Sequence, residues 1–435
     1  MATLDNRDAY PNLTRNALAL ALDTAFFHTA LNFISTTTVL LTFLATLVEN
    51  EVLIGVAAGV INSAWLLPQL LVAGLAARQQ RMKPLLIKAV WFTRPVLLPL
   101  ALAIWLLTPN HPGLMFGITV VAVFIFFVGD AFASVPWFAL LGRVLPPTRR
   151  GRVIGAGQVA GGLGGIVAGL VVRNILGNTE RFAYPGNYAL LMVIGLVLFF
   201  GSGLAVLLIR EPKRAALSEA SPTLRQVFKM MPSLLASDHP FRKLVITRVL
   251  LGFASIASSF YVLYATQRLG FRAADMGYFI TAQVIGSVGS GLLLGYVQDR
   301  WGPLKHMRIT IAMAMMPPLC ALLAGLAQQR SPGAVIPFYL ALYFFFGVAW
   351  SSISWPFFNW MLEYAPDERR PLYIGLTNTL GAITMIAPTI GGLLVRSVSY
   401  PAAFIASIGF ALAAMALSFK LPCTRRDGAR YQEAD

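Results

Sequence analysis

Cysteine is nearly absent from this 435-residue chain: Cys320 lies within an apolar run and Cys423 near the C-terminal end. Two thiols at such different depths imply no disulfide framework. Histidine is equally sparse, with His28, His111, His239 and His306 and no ligand-like spacing among them. A membrane-embedded enzyme would need clustered catalytic or metal-binding residues, so neither enzymatic activity nor a metal or cofactor is expected. Charge is also scarce, at 12% of residues, where a soluble domain carries about 25%. A soluble two-domain enzyme and a disordered chain are therefore excluded. An outer-membrane barrel would alternate apolar and polar residues along short strands, and this chain instead runs apolar for about twenty residues at a time. No phosphate-binding loop is present. The glycine-rich stretch Gly155 to Gly169 lacks the Lys-Ser/Thr of such a loop and sits inside an apolar helix. Small residues spaced four apart read there as helix-packing positions.

Apolar residues make up 57% of the chain, enough for twelve helices of about twenty residues each across a roughly 30 Å hydrocarbon core. Runs bounded by charge, Pro and Gly predict spans at 17–46, 53–76, 84–107, 113–141, 152–176, 187–209, 242–266, 275–297, 304–327, 334–361, 371–395 and 401–421. The fold class expected is an all-α membrane protein of two six-helix bundles. The first apolar run is too long for a signal peptide and reads as an uncleaved first span.

The formal charge of +16 would suggest nucleic acid in a soluble protein, but here its location decides. Of 34 Lys and Arg, twenty-seven lie in or next to one set of alternate loops, six in or next to the other, and Arg94 deep inside a span. This bias puts both termini and the middle segment on the cytoplasmic side of the plasma (bacterial inner) membrane, with anionic lipid rather than nucleic acid as partner.

The long polar stretch at 210–241 divides the chain into a first bundle (1–209), this cytoplasmic linker, a second bundle (242–421) and a tail (422–435). In the linker, Ser221-Pro222 followed by Leu224, Val227, Phe228 and Met231 predicts a short amphipathic surface helix, with a flexible linker as the alternative.

Shifting the sequence by 220 residues aligns Pro136/Pro356, Phe138/Phe358, Pro146/Pro366, Arg149/Arg369, Arg150/Arg370, Ile154/Ile374, Gly155/Gly375 and Gly161/Gly381 without a gap. An even number of spans per half makes the two copies parallel. The loop Gly295-Tyr-Val-Gln-Asp299-Arg300-Trp-Gly302-Pro-Leu-Lys305 resembles the Gly-x-x-x-Asp-Arg-x-Gly motif of the major facilitator superfamily. The corresponding first-half loop departs from it, with Arg78 at the acidic position. The superfamily's span-five antiporter signature is also incomplete, since Ile166 stands where a Pro follows Gly. Arg143 and Glu363 are equivalent under the repeat and opposite in charge. They are expected either in ion pairs that break and form between the halves, or as plain surface charges.

An ionisable side chain deep in a span is a functional candidate. Asp23 and His28 lie about 9 and 16 Å into the first span at ~1.5 Å per residue, and Asn32 shares a face with His28. Asp130 is near mid-depth in the fourth span, Arg94 in the third, and Arg248 is shallower in the seventh. The resemblance implies that the first and fourth spans of each half line a central cavity. It thereby makes Asp23, His28, Asn32, Asp130, Trp137, Arg248, Tyr261, Tyr264, Trp350, Trp355 and Asn359 cavity candidates, and Gly295, Asp299, Arg300 and Gly302, with Arg143 and Glu363, gating candidates. A carboxylate that binds and releases a proton away from water can couple proton movement to substrate movement. Asp130 is the first choice for that role and His28 the second; an Arg94–Asp130 structural pair is the alternative for Asp130.

The expected function is secondary active transport of a small organic molecule by alternating access, as a monomer, proton-coupled, with export favoured over uptake of a sugar or other metabolite. A non-transporting receptor or scaffold would ordinarily carry an additional soluble domain.

Overall fold

The computed structural model of the chain describes residues 10, 12–66, 80–212, 232–330, 332–366 and 370–424. They are predominantly helical, with no strand among the described residues. In lipid this follows from backbone chemistry, since each N–H and C=O must find its partner within the segment.

Ten helical stretches among the described residues are long and apolar enough to cross a bilayer, from Lys83–Leu107 through Tyr400–Ser418. The predicted first span comprises α1 (Leu13–Phe33) and α2 (Val39–Leu47), and the second α3 (Glu51–Leu66), which brings the helical segments to the twelve read from the sequence. The predicted linker helix at 221–231 and the first-half loop around Arg78 lie outside the described residues.

The first set of helices continues with α4 (Lys83–Thr93), α5 (Leu97–Leu107), α6 (Pro112–Val144), α7 (Pro147–Gly177) and α8 (Gly186–Leu208). The second comprises α9 (His239–Phe253), α10 (Tyr261–Arg268), α11 (Met276–Trp301), α12 (Pro303–Arg330), α13 (Val335–Ser352), α14 (Trp355–Tyr364), α15 (Arg370–Gly381), α16 (Ala387–Ser397) and α17 (Tyr400–Ser418). Contacts divide the chain into two compact units, Met1–Val48 with Val60–Ser221 and Glu49–Gly59 with Pro222–Asp435. The boundary at 221 falls inside the polar stretch 210–241. The start of α3 groups with the second unit because glycines bring it against the chain around α16. A Cβ at Gly59 would stand 2.6 Å from the Met385 carbonyl oxygen, and one at Gly392 would stand 2.9 Å from Val52 Cα.

Several spans are broken where the sequence competes with the α-helical ladder. Pro95 and Pro388 accompany 3₁₀ turns at Arg94–Val96 and Ala382–Ile386, as expected of a residue that cannot donate. The seventh span turns 3₁₀ over Ala254–Phe260. There the Ser255 hydroxyl donates to the Gly252 carbonyl and Ser258 to that of Ser255, both at 2.7 Å. The first span breaks at Ser35–Thr38, where Thr38 donates to the Ser35 hydroxyl at 2.8 Å. Hydroxyls that bond locally weaken the helix in both places. The two breaks are repeat equivalents: α1 ends at Phe33 and α9 at Phe253, 220 residues apart.

Each unit has its own apolar core. In the first, Leu20, Leu86, Val90, Leu140 and Val206 are buried together; in the second, Phe241, Met307, Phe357, Trp360, Leu376 and Ala411 are. The glycines of α7 serve as packing positions: a Cβ at Gly157 would lie 2.6 Å from Thr24 Cβ, and one at Gly161 would lie 2.8 Å from His28 Cβ. The α7 backbone therefore lies directly against α1.

Candidate functional site

The first unit holds an ionic cluster in its interior. Asp23 on α1 is 4% exposed and Arg94, at the α4–α5 break, 7% exposed. The Trp137 indole on α6 donates to Asp23 Oδ2 at 2.6 Å, and the Ser202 hydroxyl on α8 donates to Asp23 Oδ1. Arg94 Nη1 donates to the Ser202 hydroxyl at 2.9 Å and to the Phe199 carbonyl at 2.7 Å. Its guanidinium also lies 5.7 and 5.4 Å from the ring centroids of Phe27 and Phe199, within cation–π range. Three spans thus meet at Ser202, and a fourth joins them through the Trp137 bond to Asp23.

Asp130 on α6 also lies within Arg94's field. It lies near the Trp65 indole and interacts electrostatically with Arg94 and Asp23. Arg94 forms no direct ion pair with either carboxylate among the described residues; of the two, Asp23 acts on it more strongly than Asp130. The direct Arg94–Asp130 pair considered from the sequence is thus replaced by a serine-bridged link to Asp23. Chemically, the cluster contains two acids and one fixed cation, with Asp23 and Arg94 buried and Asp130 half-buried. With both acids ionised it carries one net negative charge, and one proton brings it to neutrality.

Sequence reading missed Ser202, Phe199 and Trp65. Ser202 was the most accessible of them, being the one hydroxyl in the middle of the otherwise apolar α8.

His28 is half-buried and its ring meets Phe27 edge-on at 5.7 Å. Asn32 Nδ2 donates to the His28 carbonyl at 2.7 Å. In the second unit Arg248 occupies the position equivalent to His28. Its Nη2 lies 3.4 Å from Asn378 Oδ1, its guanidinium 5.6 Å from the Phe357 ring, and its Nε would be 3.5 Å from a Cβ at Gly381. Gly381 is itself the equivalent of Gly161, which lies against His28, so the same two positions meet in both units.

The other candidates are scattered. Tyr261 is 3% exposed and packs on Phe346 and Phe404. Tyr264 lies against Tyr400. Trp350 and Trp355 are exposed, with Trp350 stacked on Phe346, and Asn359 is half-buried.

Among the gating candidates, Gly295, Asp299 and Arg300 are exposed on the last turns of α11, with Arg300 donating to the Tyr296 hydroxyl at 3.1 Å. Gly302 ends that helix at φ 84°, a conformation that disfavours any side chain. Lys305 sits 4.0 Å from the Trp301 ring centroid. Arg143 pairs with Glu211 of its own unit at 2.9 Å. Glu211 also accepts from the Met82 and Lys83 backbone N–H groups at 2.8 and 2.9 Å, capping α4. Glu363 accepts from the Thr424 hydroxyl at 2.6 Å.

An all-helical chain with this many spans is a polytopic membrane protein. The family model of the Major Facilitator Superfamily matches residues 176–386. Solved structures with the same fold include a bacterial homologue of the iron transporter ferroportin in the inward-facing state (14% identity, TM-score 0.68, 94% of this chain and 99% of that one). The nucleoside transporter NupG is also similar (16% identity, TM-score 0.64, 93% and 98% covered), as is the xylose transporter XylE from E. coli (15% identity, TM-score 0.66, 95% and 98% covered). No curated protein matches the sequence. The chain is thus similar to the Major Facilitator Superfamily over residues 176–386 and shares the fold of these transporters along nearly its whole length.

Proposed function

We propose that the chain carries a small organic molecule across the plasma membrane by alternating access, in exchange for protons, with export as its direction. The observation that carries the coupling is the cluster of Asp23, Arg94 and Asp130 in the first bundle. Asp23 accepts two hydrogen bonds from neutral donors, one of them from the serine that Arg94 holds. That arrangement suits a carboxylate that stays ionised as the counter-charge of Arg94. Asp130 lies near the Trp65 indole and shares Arg94 at longer range, so it is the acid that takes up and releases the proton. A protonated Asp130 leaves the cluster neutral; its deprotonation leaves an excess negative charge whose burial is unfavourable and which favours a state that admits water or a cationic group. The scarcity of charge in the spans supports an amphipathic or apolar substrate.

The test is transport by Asp130→Asn in proteoliposomes containing a pH-sensitive dye, challenged with a panel of organic compounds. Wild-type protein should move protons in response to its substrate, and the variant should lose that movement while keeping substrate binding. Unchanged proton movement in the variant would remove Asp130 from the mechanism.

A further inference from the structure

The end of the first unit where α1 and α4 begin and α8 finishes contains a recess of about 390 Å³, lined by Asn12, Arg81, Lys83, Ile209, Arg210 and Glu211. Its one carboxylate is fully committed: Glu211 accepts from Arg143 and from two backbone N–H groups. Lys83 Nζ is likewise spent on the Leu207 and Ile209 carbonyls, at 2.8 and 2.6 Å, although its charge remains and lies close enough to Arg15 to be repelled by it. The Arg81 and Arg210 guanidiniums are exposed and have no side-chain partner among the described residues. The recess therefore presents two open guanidinium forks beside a third cation, with no uncommitted acid among the described residues that line it.

The structure assigns this recess to a phosphate oxyanion, and we infer that it is the headgroup phosphate of an anionic phospholipid. Guanidinium forks match phosphate geometry bidentately, and basic pockets at the cytoplasmic ends of spans suit anionic headgroups. Depth and surroundings identify lipid rather than a soluble phosphate. Lys83 opens one span and Ile209 directly follows another, which is headgroup depth. An apolar strip leads to the recess along α8, with Leu204, Leu207 and Leu208 exposed at 55%, 40% and 48%, and Pro84 is exposed at its rim. A phosphate held by Arg81 and Arg210 would lay its acyl chains along that strip. Bound there, the lipid would brace the joint at which Glu211, Lys83 and Asn16 tie α1, α4 and α8 together.

The experiment titrates short-chain phosphatidylglycerol into detergent-purified full-length protein and follows thermal stability, with phosphatidylcholine of equal chain length and inorganic phosphate as parallel arms. Phosphatidylglycerol should stabilise wild-type protein at concentrations at least tenfold below either alternative. Arg81→Gln/Arg210→Gln should lose that preference, Arg81→Lys/Arg210→Lys should retain part of it, and Lys88→Gln/Arg149→Gln, which removes two exposed charges outside the recess, should keep it entirely. Equal responses to the two lipids would overturn the site. So would a preference that survives Arg81→Gln/Arg210→Gln or falls equally in the control variant. Stabilisation by inorganic phosphate at the same concentrations would overturn the lipid assignment. These outcomes do not depend on proton coupling.

Discussion

Ser202 is the smallest group in the ionic cluster, yet two charged partners meet on it, so Ser202→Ala probes the cluster with little change of volume. The substitution removes the donor to Asp23 Oδ1 and the acceptor for Arg94 Nη1. Asp23 keeps the Trp137 indole and Arg94 keeps the Phe199 carbonyl, so neither charge is stripped of partners. Hydrogen bonds to charged groups contribute about 1.5–3 kcal/mol in soluble proteins, whereas interhelical hydrogen bonds in lipid average roughly 0.6 and reach about 1.7 kcal/mol. With one partner retained on each side, the membrane scale applies to both bonds, and the expected loss is about 1.2–3.4 kcal/mol. Reversible unfolding in mixed micelles titrated with sodium dodecyl sulfate measures it. Ser202→Thr keeps the hydroxyl and should recover most of the stability. A double-mutant cycle with Arg94→Gln should show a coupling of about 1 kcal/mol or more, as residues in one network do. A loss below about 0.5 kcal/mol, or strict additivity with Arg94→Gln, would refute the bridging role of Ser202.

Asp23→Asn should destabilise by about 3–5 kcal/mol because it leaves the buried Arg94 without its main counter-charge, while Asp130→Asn should lower stability much less; the same unfolding assay ranks the two, and the reverse order would exchange their roles. Glu211→Gln should cost about 2–3 kcal/mol, since Arg143 and Glu211 are only 10% and 3% exposed and Glu211 also caps α4; Arg143→Gln/Glu211→Gln should lose less than the sum of the single changes. Gly161→Val should destabilise by at least about 2 kcal/mol by driving α7 off α1, whereas Gly155→Ala, with nothing within 4 Å of its Cβ position, should be neutral or slightly stabilising; melting temperatures in detergent check both.

Most of the architecture is legible in the sequence because lipid enforces it locally. A bilayer demands about twenty apolar residues per helix and rejects unpaired backbone, so spans and their number follow from composition along the chain. The parallel repeat is also legible, since offset identities such as Gly161/Gly381 survive as residue types. Pairing is not. Asp23, Arg94 and Asp130 stand out as charges within spans, but their sequence separation gives no information on helix rotation, and a turn of about 100° per residue decides what each side chain meets. Arg94 and Asp130 at similar depth suggest a direct pair; the fold instead turns Ser202, 108 positions along the chain from Arg94, into the bridge to Asp23. Arg143 likewise reads either as one partner of an ion pair between the halves or as a plain surface charge, and only the approach of α4, α6 and the end of α8 commits it to Glu211. The sequence by itself determined which segments lie in the membrane, because that depends on the hydropathy of each stretch alone. The tertiary structure decided which buried charges share a site, because that depends on how neighbouring helices are rotated and how closely glycine lets them approach.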